Sequence, residues 1–356
     1  MDVVLHYADE WVLDKAWAWA LPSIPARLAR AGQAAKSAES LAAAARATPS
    51  AIQNLTHGVL NWTSRSSAGS GARDATARAA QQAGLAAQQA AAQGLEEFVN
   101  SSRWGRDHFL RQCISLYAIT LVGIMLLYFS FAGLSYYFFF NHDMKKHPRF
   151  LKNQVRLEIE SSLRAFLPLD ILTLPWFVAE VRGHSMLYEN ISDYGIAYAI
   201  FSVPFFLVFT DACIYWVHRL EHHPRLYKHI HKPHHKWLVP TPFASHAFHP
   251  LDGYAQSLPY HIFVFLFPLH RYIYIGLFVF VNCWSILIHD SDMIVNSPLE
   301  KIINGPSHHT LHHLYFNVNY GQYFTGCDRL GGSYRQPKSE DDPLHDVVKS
   351  ESKKAQ

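Results

Sequence analysis

Charge all but disappears from four stretches of this chain. Residues 113–140 contain no charged side chain in 28 positions. A spanning helix needs about 20 apolar residues to cross a hydrocarbon core of roughly 30 Å. This segment therefore predicts a membrane crossing rather than a buried core helix. A second, shorter run, 166–181, is interrupted by Pro168, Asp170 and Pro175. A third, 196–217, contains Pro204 and the charge of Asp211. The fourth, 258–288, is broken by Pro268, His270 and Arg271. It predicts either a hairpin of two helices or a re-entrant piece followed by a span. The expected fold class is an all-α integral membrane protein with about four transmembrane helices and a helical cap outside the bilayer.

The flanking charges orient these segments. Lys145, Lys146, Arg149, Lys152 and Arg156 follow the first span, and the positive-inside rule assigns that loop to the cytosol. Arg103, Arg106 and Arg111 precede the span, so the bias is modest. Counting crossings then returns the chain to the cytosol at His218, and a hairpin over 258–288 brings His289 back to the same side. Residues 1–26, with Trp11, Trp17 and Trp19 and no basic start, read as an interfacial segment. Residues 27–103 are rich in Ala, Gln, Ser and Gly and are expected to be lumenal and non-catalytic. The sequons at Asn54, Asn61 and Asn100 agree with a lumenal side. Residues 104–217 form the expected transmembrane region and 336–356 a cytosolic tail. Lys353 and Lys354 in that tail resemble a dilysine retrieval signal, which predicts the endoplasmic reticulum membrane.

Composition adds one decisive fact. The net charge of +3 on 356 residues offers nothing for nucleic acid. Cys113, Cys213, Cys283 and Cys327 are widely spaced and form no thiolate motif. Of 23 histidines, however, 16 fall between His218 and His313. They cluster as His218-Arg-Leu-Glu-His222-His223, His231-Lys-Pro-His234-His235 and His309-Thr-Leu-His312-His313. Residues three or four apart share a helix face, so each cluster can aim several imidazoles at one point. Adjacent histidines let one segment serve two metals. A lone histidine is usually a surface or hydrogen-bonded residue. Three clusters of one spacing on one expected side of a membrane instead predict a metal site. Nine imidazoles exceed the four ligands of a tetrahedral zinc and suit two octahedral ions, with zinc and copper still open. Asp211, Tyr215, His218 and His222 lie on one helical stripe. Asp211 is therefore a candidate to orient a ligand imidazole, with Tyr215 beside it. The alternative is an acid at a helix end facing water.

The stretch from His218 to Arg335 resembles the fatty acid hydroxylase and sterol desaturase superfamily. Within it, the chain is similar to the sterol C-5 desaturases. The resemblance rests on HRLEHH, HKPHHKW, TPFASHAFHPLDG, SLPYHIF, HHTLHH and NYGQYFTGCDRLGGSYR. It implies that residues 218–335 are a histidine-box catalytic region with an oxygen-activating centre of two iron ions. The implied ligands are His218, His222 and His223, then His231, His234 and His235, then His309, His312 and His313. His289 is a further implied ligand, with His246 and His249 ranked lower and His308 a bystander. It also implies O2 as co-substrate, a Δ7-sterol taken from the bilayer, and electrons from cytochrome b5 and its NAD(P)H reductase. Lipid hydroxylation and sterol C-4 methyl oxidation are alternatives within the same chemistry. A metal transporter is the remote one, because its ligands would lie within the spans.

Overall fold

The computed structural model describes residues 1–23, 26–27 and 101–355. The expectation for 27–103 falls on residues 28–100, which lie outside the described residues. The rest is helical apart from one minute sheet: α1 Asp2–Ala8, α2 Asp14–Ala20, α3 Phe109–Phe138, α4 Gln154–Val181, α5 Gly195–Glu221, α6 Pro224–Tyr227, α7 Pro250–Leu266, α8 Arg271–Ile288, α9 Pro306–Tyr315, α10 Gly326–Gly331 and α11 Leu344–Ala355. Among the described residues, four helices are long and apolar enough to cross a membrane: α3, α4, α5 and α8. At 1.5 Å per residue, the 30 residues of α3 reach about 45 Å, more than a hydrocarbon core. Val122, Leu126 and Leu134 of α3 are more than half exposed, as lipid-facing side chains must be. This is an all-α integral membrane protein.

Two segments differ from their sequence-based outlines. The second span is a 28-residue helix that runs through Pro168 and Pro175 and begins at Gln154. Its first half looks polar because it packs against protein rather than lipid. Gln154 Nε2 donates to the Val239 carbonyl at 2.8 Å, and Glu158 accepts from the Thr241 amide at 3.3 Å. The 258–288 region is a hairpin of two helices. Its first arm starts at Pro250, eight residues earlier than expected, because Asp252 and Gln256 face buried polar partners.

Directions follow from the sheet. β1, Leu187–Tyr188, pairs in parallel with β2, Leu269–His270, so the α4–α5 connection lies beside the tip of the α7–α8 hairpin. The end of α5, the start of α7, the end of α8 and the start of α4 therefore gather at the opposite pole. The loop 238–248 is tied there to two spans, since the Phe243 carbonyl accepts from Tyr128 at 2.8 Å and from Ser162 at 3.2 Å. The main apolar core lies between α5, α7 and α8, around Phe206, Phe263, Tyr274 and Val281. The described residues between His6 and Arg111 belong to a second unit. Within it, Arg111 pairs with Asp9 at 2.6 Å and also with Asp14, while Trp11 and Trp19 are largely exposed.

Gly331 ends α10 where a Cβ would strike the Tyr215 hydroxyl and approach Arg219 Nη1 at 2.6 Å. Tyr215 is 1% exposed and cannot yield. Gly331→Ala is expected to cost about 1–3 kcal/mol through overpacking, read as a lower unfolding temperature of the detergent-solubilised protein. Gly326→Ala, which meets nothing within 4 Å, serves as its control; equal melting of the two would refute the packing account.

Candidate metal centre

The pole opposite the hairpin tip collects imidazoles from four segments. Helix α5 ends with His218 and His222, one turn apart. The turn after α6 carries His231, His234 and His235. His289 caps the end of α8, and α9 carries His309, His312 and His313. Their nitrogens form two groups, each lying within 4.8 Å of one another: His218, His222, His231, His235 and His312 in the first, and His234, His289, His309 and His313 in the second. The adjacent pairs His234–His235 and His312–His313 are split between the groups. Consecutive helical residues point about 100° apart, whereas i and i+4 share a face.

Second partners determine what these rings present inward. His218 Nδ1 donates to the Tyr320 carbonyl at 2.9 Å, and His312 Nδ1 to the Val318 carbonyl at 2.7 Å. His289 Nδ1 donates to the Ser285 carbonyl. His231 Nδ1 donates to Asp252 Oδ2 at 2.8 Å. A neutral imidazole has one N–H, so in all four rings the Nε2 facing inward is a bare lone pair. Yet His218 and His231 Nε2 lie 3.1 Å apart. His235 Nε2 lies 3.0 Å from that of His231 and 3.1 Å from those of His222 and His312. In the second group the spacings are 2.9, 3.1 and 3.3 Å. The opposed lone pairs of His218 and His231 are relieved by a cation between them, and the other nitrogens lie at the same spacing. Ligands about 2.1 Å from one ion and at right angles to each other are about 3.0 Å apart. The donor set and its spacing thus fit two imidazole-bound metal ions.

Burial reinforces the fit. His234, His235, His309, His312 and His313 have pKa values held well below the ordinary imidazole range, first by loss of solvent and then by neighbouring histidines. His289 is pushed down to about 4 by burial. Neutral imidazole is the ligating form.

Several expected site residues lie elsewhere. His223 is exposed, and its Nδ1 caps α6 by accepting from the Arg225 amide. Pro224 forces the residue before it into extended backbone, which turns His223 away from the cluster. His249 likewise caps α7, accepting from the Leu251 amide at 3.2 Å. His246 is buried but bonds Ser245 and Asn282, outside both groups. Asp211 accepts no imidazole proton. Its Oδ1 takes the amides of Gln322, Tyr323 and Phe324 at 2.9, 2.6 and 3.2 Å. Tyr215 meets Ser333 at 3.0 Å, and Ser333 in turn donates to Asp328. Asp328 accepts the amides of Tyr320 and Gly321, both at 2.8 Å. Asp211 and Tyr215 therefore act on His218 through the loop whose Tyr320 carbonyl orients it. The carboxylate on a ligand imidazole is Asp252, which sequence reading missed. An acid at the start of an apolar helix, inside TPFASHAFHPLDG, was the available signal.

A cavity of about 350 Å³ runs from His218, His234, His289 and His309 between α3, α4, α7 and α8. Its walls include Ile124, Leu127, Phe166, Phe177, Phe248 and Phe278.

Spanning helices with nine convergent imidazoles at one end of an apolar cavity define a class, the membrane-bound oxidoreductases with histidine-held metals. A model of the fatty acid hydroxylase family matches residues 203–333. A Delta(7)-sterol 5(6)-desaturase of Aspergillus fumigatus is 54% identical over 269 residues, covering 70% of this chain and 84% of the relative. Lathosterol oxidase of Rattus norvegicus is 52% identical over 260 residues, covering 72% and 87%. That of Homo sapiens is 52% identical over 244 residues, covering 68% and 82%. The chain belongs to the family of Delta(7)-sterol 5(6)-desaturases and lathosterol oxidases. No solved structure matches it.

Two outcomes follow from this geometry. Asp252→Ala frees the outer nitrogen of His231 and is expected to lower metal affinity about 10–100-fold, whereas His223→Ala leaves bound metal per chain unchanged. Metal analysis after graded chelation separates them, and equal losses would overturn the assignment. For the metal-free protein the sign of the pH dependence is set by histidines whose folded pKa lies below the unfolded value of about 6.5. Stability is full above that value. It falls as pH drops from about 6.5 towards 4, because only the unfolded chain takes up protons there. Unfolding temperatures should be flat from pH 8 to 7 and fall by pH 5.5; a flat profile throughout would contradict the burial of these rings.

Proposed function

We propose that this chain introduces the C5–C6 double bond into a Δ7-sterol. One O2 and two electrons are consumed with two protons, the sterol loses one hydrogen each from C5 and C6, and two waters leave. The observation that carries this reading is the union of nine inward imidazoles with an apolar cavity, in a chain more than half identical to proteins named for that reaction. Two iron ions would be held by His218, His222, His231, His235 and His312, and by His234, His289, His309 and His313. When bound, they supply the activation of oxygen that removal of unactivated hydrogens demands.

The protein's own part is placement and exclusion of water. The carbonyls of Tyr320, Val318 and Ser285 and the Asp252 carboxylate hold four rings in one tautomer. Phe166, Phe177, Phe248 and Phe278 line a dry wall for a rigid ring system. The cavity lies within the size range of small-molecule sites. It opens among helices whose outer faces are lipid-like, so the substrate arrives from the bilayer.

The chain carries no haem, flavin or nucleotide motif, and electrons come from a separate carrier, cytochrome b5 with its NAD(P)H reductase. The basic loop of Lys145, Lys146, Arg149, Lys152 and Arg156 stands at the same pole as the histidines, which favours a cytosolic centre.

Expression in cells lacking their own sterol C-5 desaturase tests the reading. The native chain should restore 5,7-diene sterols, seen by ultraviolet absorption and mass, while His234→Ala and His312→Ala restore none at equal protein levels. Oxygenated lipids in place of dienes would move the chain to hydroxylation; active histidine variants would sink the metal centre.

A further inference from the structure

His246 belongs to neither metal group, although it lies in the most distinctive motif of the chain. It lines the cavity together with Ser245 and Asn282. Its Nδ1 is 2.9 Å from Ser245 Oγ, and its Nε2 is 3.2 Å from Asn282 Oδ1. Ser245 Oγ also lies 2.9 Å from the Pro242 carbonyl. Asn282 Oδ1 beside Nε2 is an acceptor only, so Nε2 carries the His246 proton and Nδ1 accepts from the Ser245 hydroxyl. Its Nε2–H is thus the donor of the pair. Asn282 is fixed by Nδ2 donating to the Phe278 carbonyl at 2.7 Å, which turns Oδ1 toward His246. The pair sets an N–H donor and a carbonyl acceptor side by side in an apolar wall. An alcohol has the matching property, as donor and acceptor at one atom.

The surroundings are those of a flat hydrocarbon. The His246 ring is flanked by Tyr128, Phe166 and Phe248 at centroid distances of 5.6, 5.6 and 5.9 Å. Phe248 in turn lies 6.3 Å from the ring of His234. Asn282 stands one turn before Ser285, whose carbonyl orients His289. The polar point therefore lies about two turns of α8, on the order of 10 Å, from His289 of the second metal group. Resting on the reading above, in which the substrate is a Δ7-sterol, we propose that His246 and Asn282 bind its 3β-hydroxyl and set the register of the ring system. C3 is two carbons from C5 in ring A, so a hydroxyl held there presents C5 and C6 to the centre. The aliphatic tail then extends along the cavity toward Phe177 and Tyr274.

The competing polar point is Asp170. It is 6% exposed, lines the cavity, and has Oδ2 without a hydrogen-bond partner among the described residues. It stands one helical turn beyond Phe166, farther from the pole where the histidines gather, and a hydroxyl there would carry C5 away from them.

The test is competition binding of lathosterol and its 3-deoxy analogue cholest-7-ene to the full-length protein in lipid nanodiscs. The native protein should prefer the alcohol by about tenfold or more, the loss expected when a buried polar pair goes unmatched. Asn282→Leu and His246→Phe, the latter keeping the aromatic packing, should each reduce the preference to about twofold or less while leaving cholest-7-ene binding unchanged. A native protein indifferent to the hydroxyl overturns the proposal. So does a preference that survives both substitutions, or one lost only in Asp170→Leu. If the native protein binds neither sterol yet oxidises another lipid, the sterol reading itself fails and takes this inference with it.

Discussion

The fold is organised around a buried confrontation of lone pairs. Imidazole nitrogens about 3 Å apart face one another in a space closed to water. Without a cation the contact of His218 with His231, whose protons are both committed outward, is repulsive, and burying unmatched polar groups is costly. The surrounding structure must hold the rings in this arrangement from outside. Three backbone carbonyls and one carboxylate do so by accepting the Nδ1 protons. The carbonyls come from irregular backbone and a helix end, which need support of their own. Asp211 and Asp328 provide it for the 320–324 loop by accepting five backbone amides between them. Metal affinity is thereby coupled to folding, since the ligands come from segments as far apart as His218 and His313.

This constraint explains the hairpin and the clamp. Ligands at the ends of α5 and α8 meet only if both helices point the same way. The parallel contact of Leu187–Tyr188 with Leu269–His270 enforces that direction from the far pole. The two-residue sheet thus contributes to the metal centre from the opposite end of the spans. The polar half of α4 contributes at the near end, where Gln154 and Glu158 fasten the loop that leads to His246.

Much of this was legible in the chain. Long apolar runs announced the spans because lipid demands them, and the i, i+3 and i, i+4 histidines announced the centre because metals need convergent donors. What escaped was whatever depended on contacts distant in sequence. The start of α4 looked like loop because its polar residues are satisfied by residues 239–241. Asp211 was correctly singled out as an acid in need of a partner, but helical spacing suggested an imidazole when the partners are amides about 110 residues later. His223 and His249 matched the pattern by residue type. Each precedes a proline, and the extended backbone that proline imposes made them helix caps. That local rule was readable, and spacing alone overrode it.

The same distinction separates His246 from the nine. Each of the nine has a nitrogen facing a second imidazole, and His218, His231, His289 and His312 have the other committed outward. His246 has a serine on one side and an amide on the other, with aromatic rings around it. Burial pushes its pKa down to about 4, so it stays neutral, with Nδ1 accepting from Ser245 and Nε2–H facing Asn282 Oδ1. A site meant for a cation presents lone pairs alone, and a site meant for an alcohol presents a lone pair and a proton together. The cavity contains both kinds one after the other, which is the order in which a sterol carries its hydroxyl and its reacting carbons.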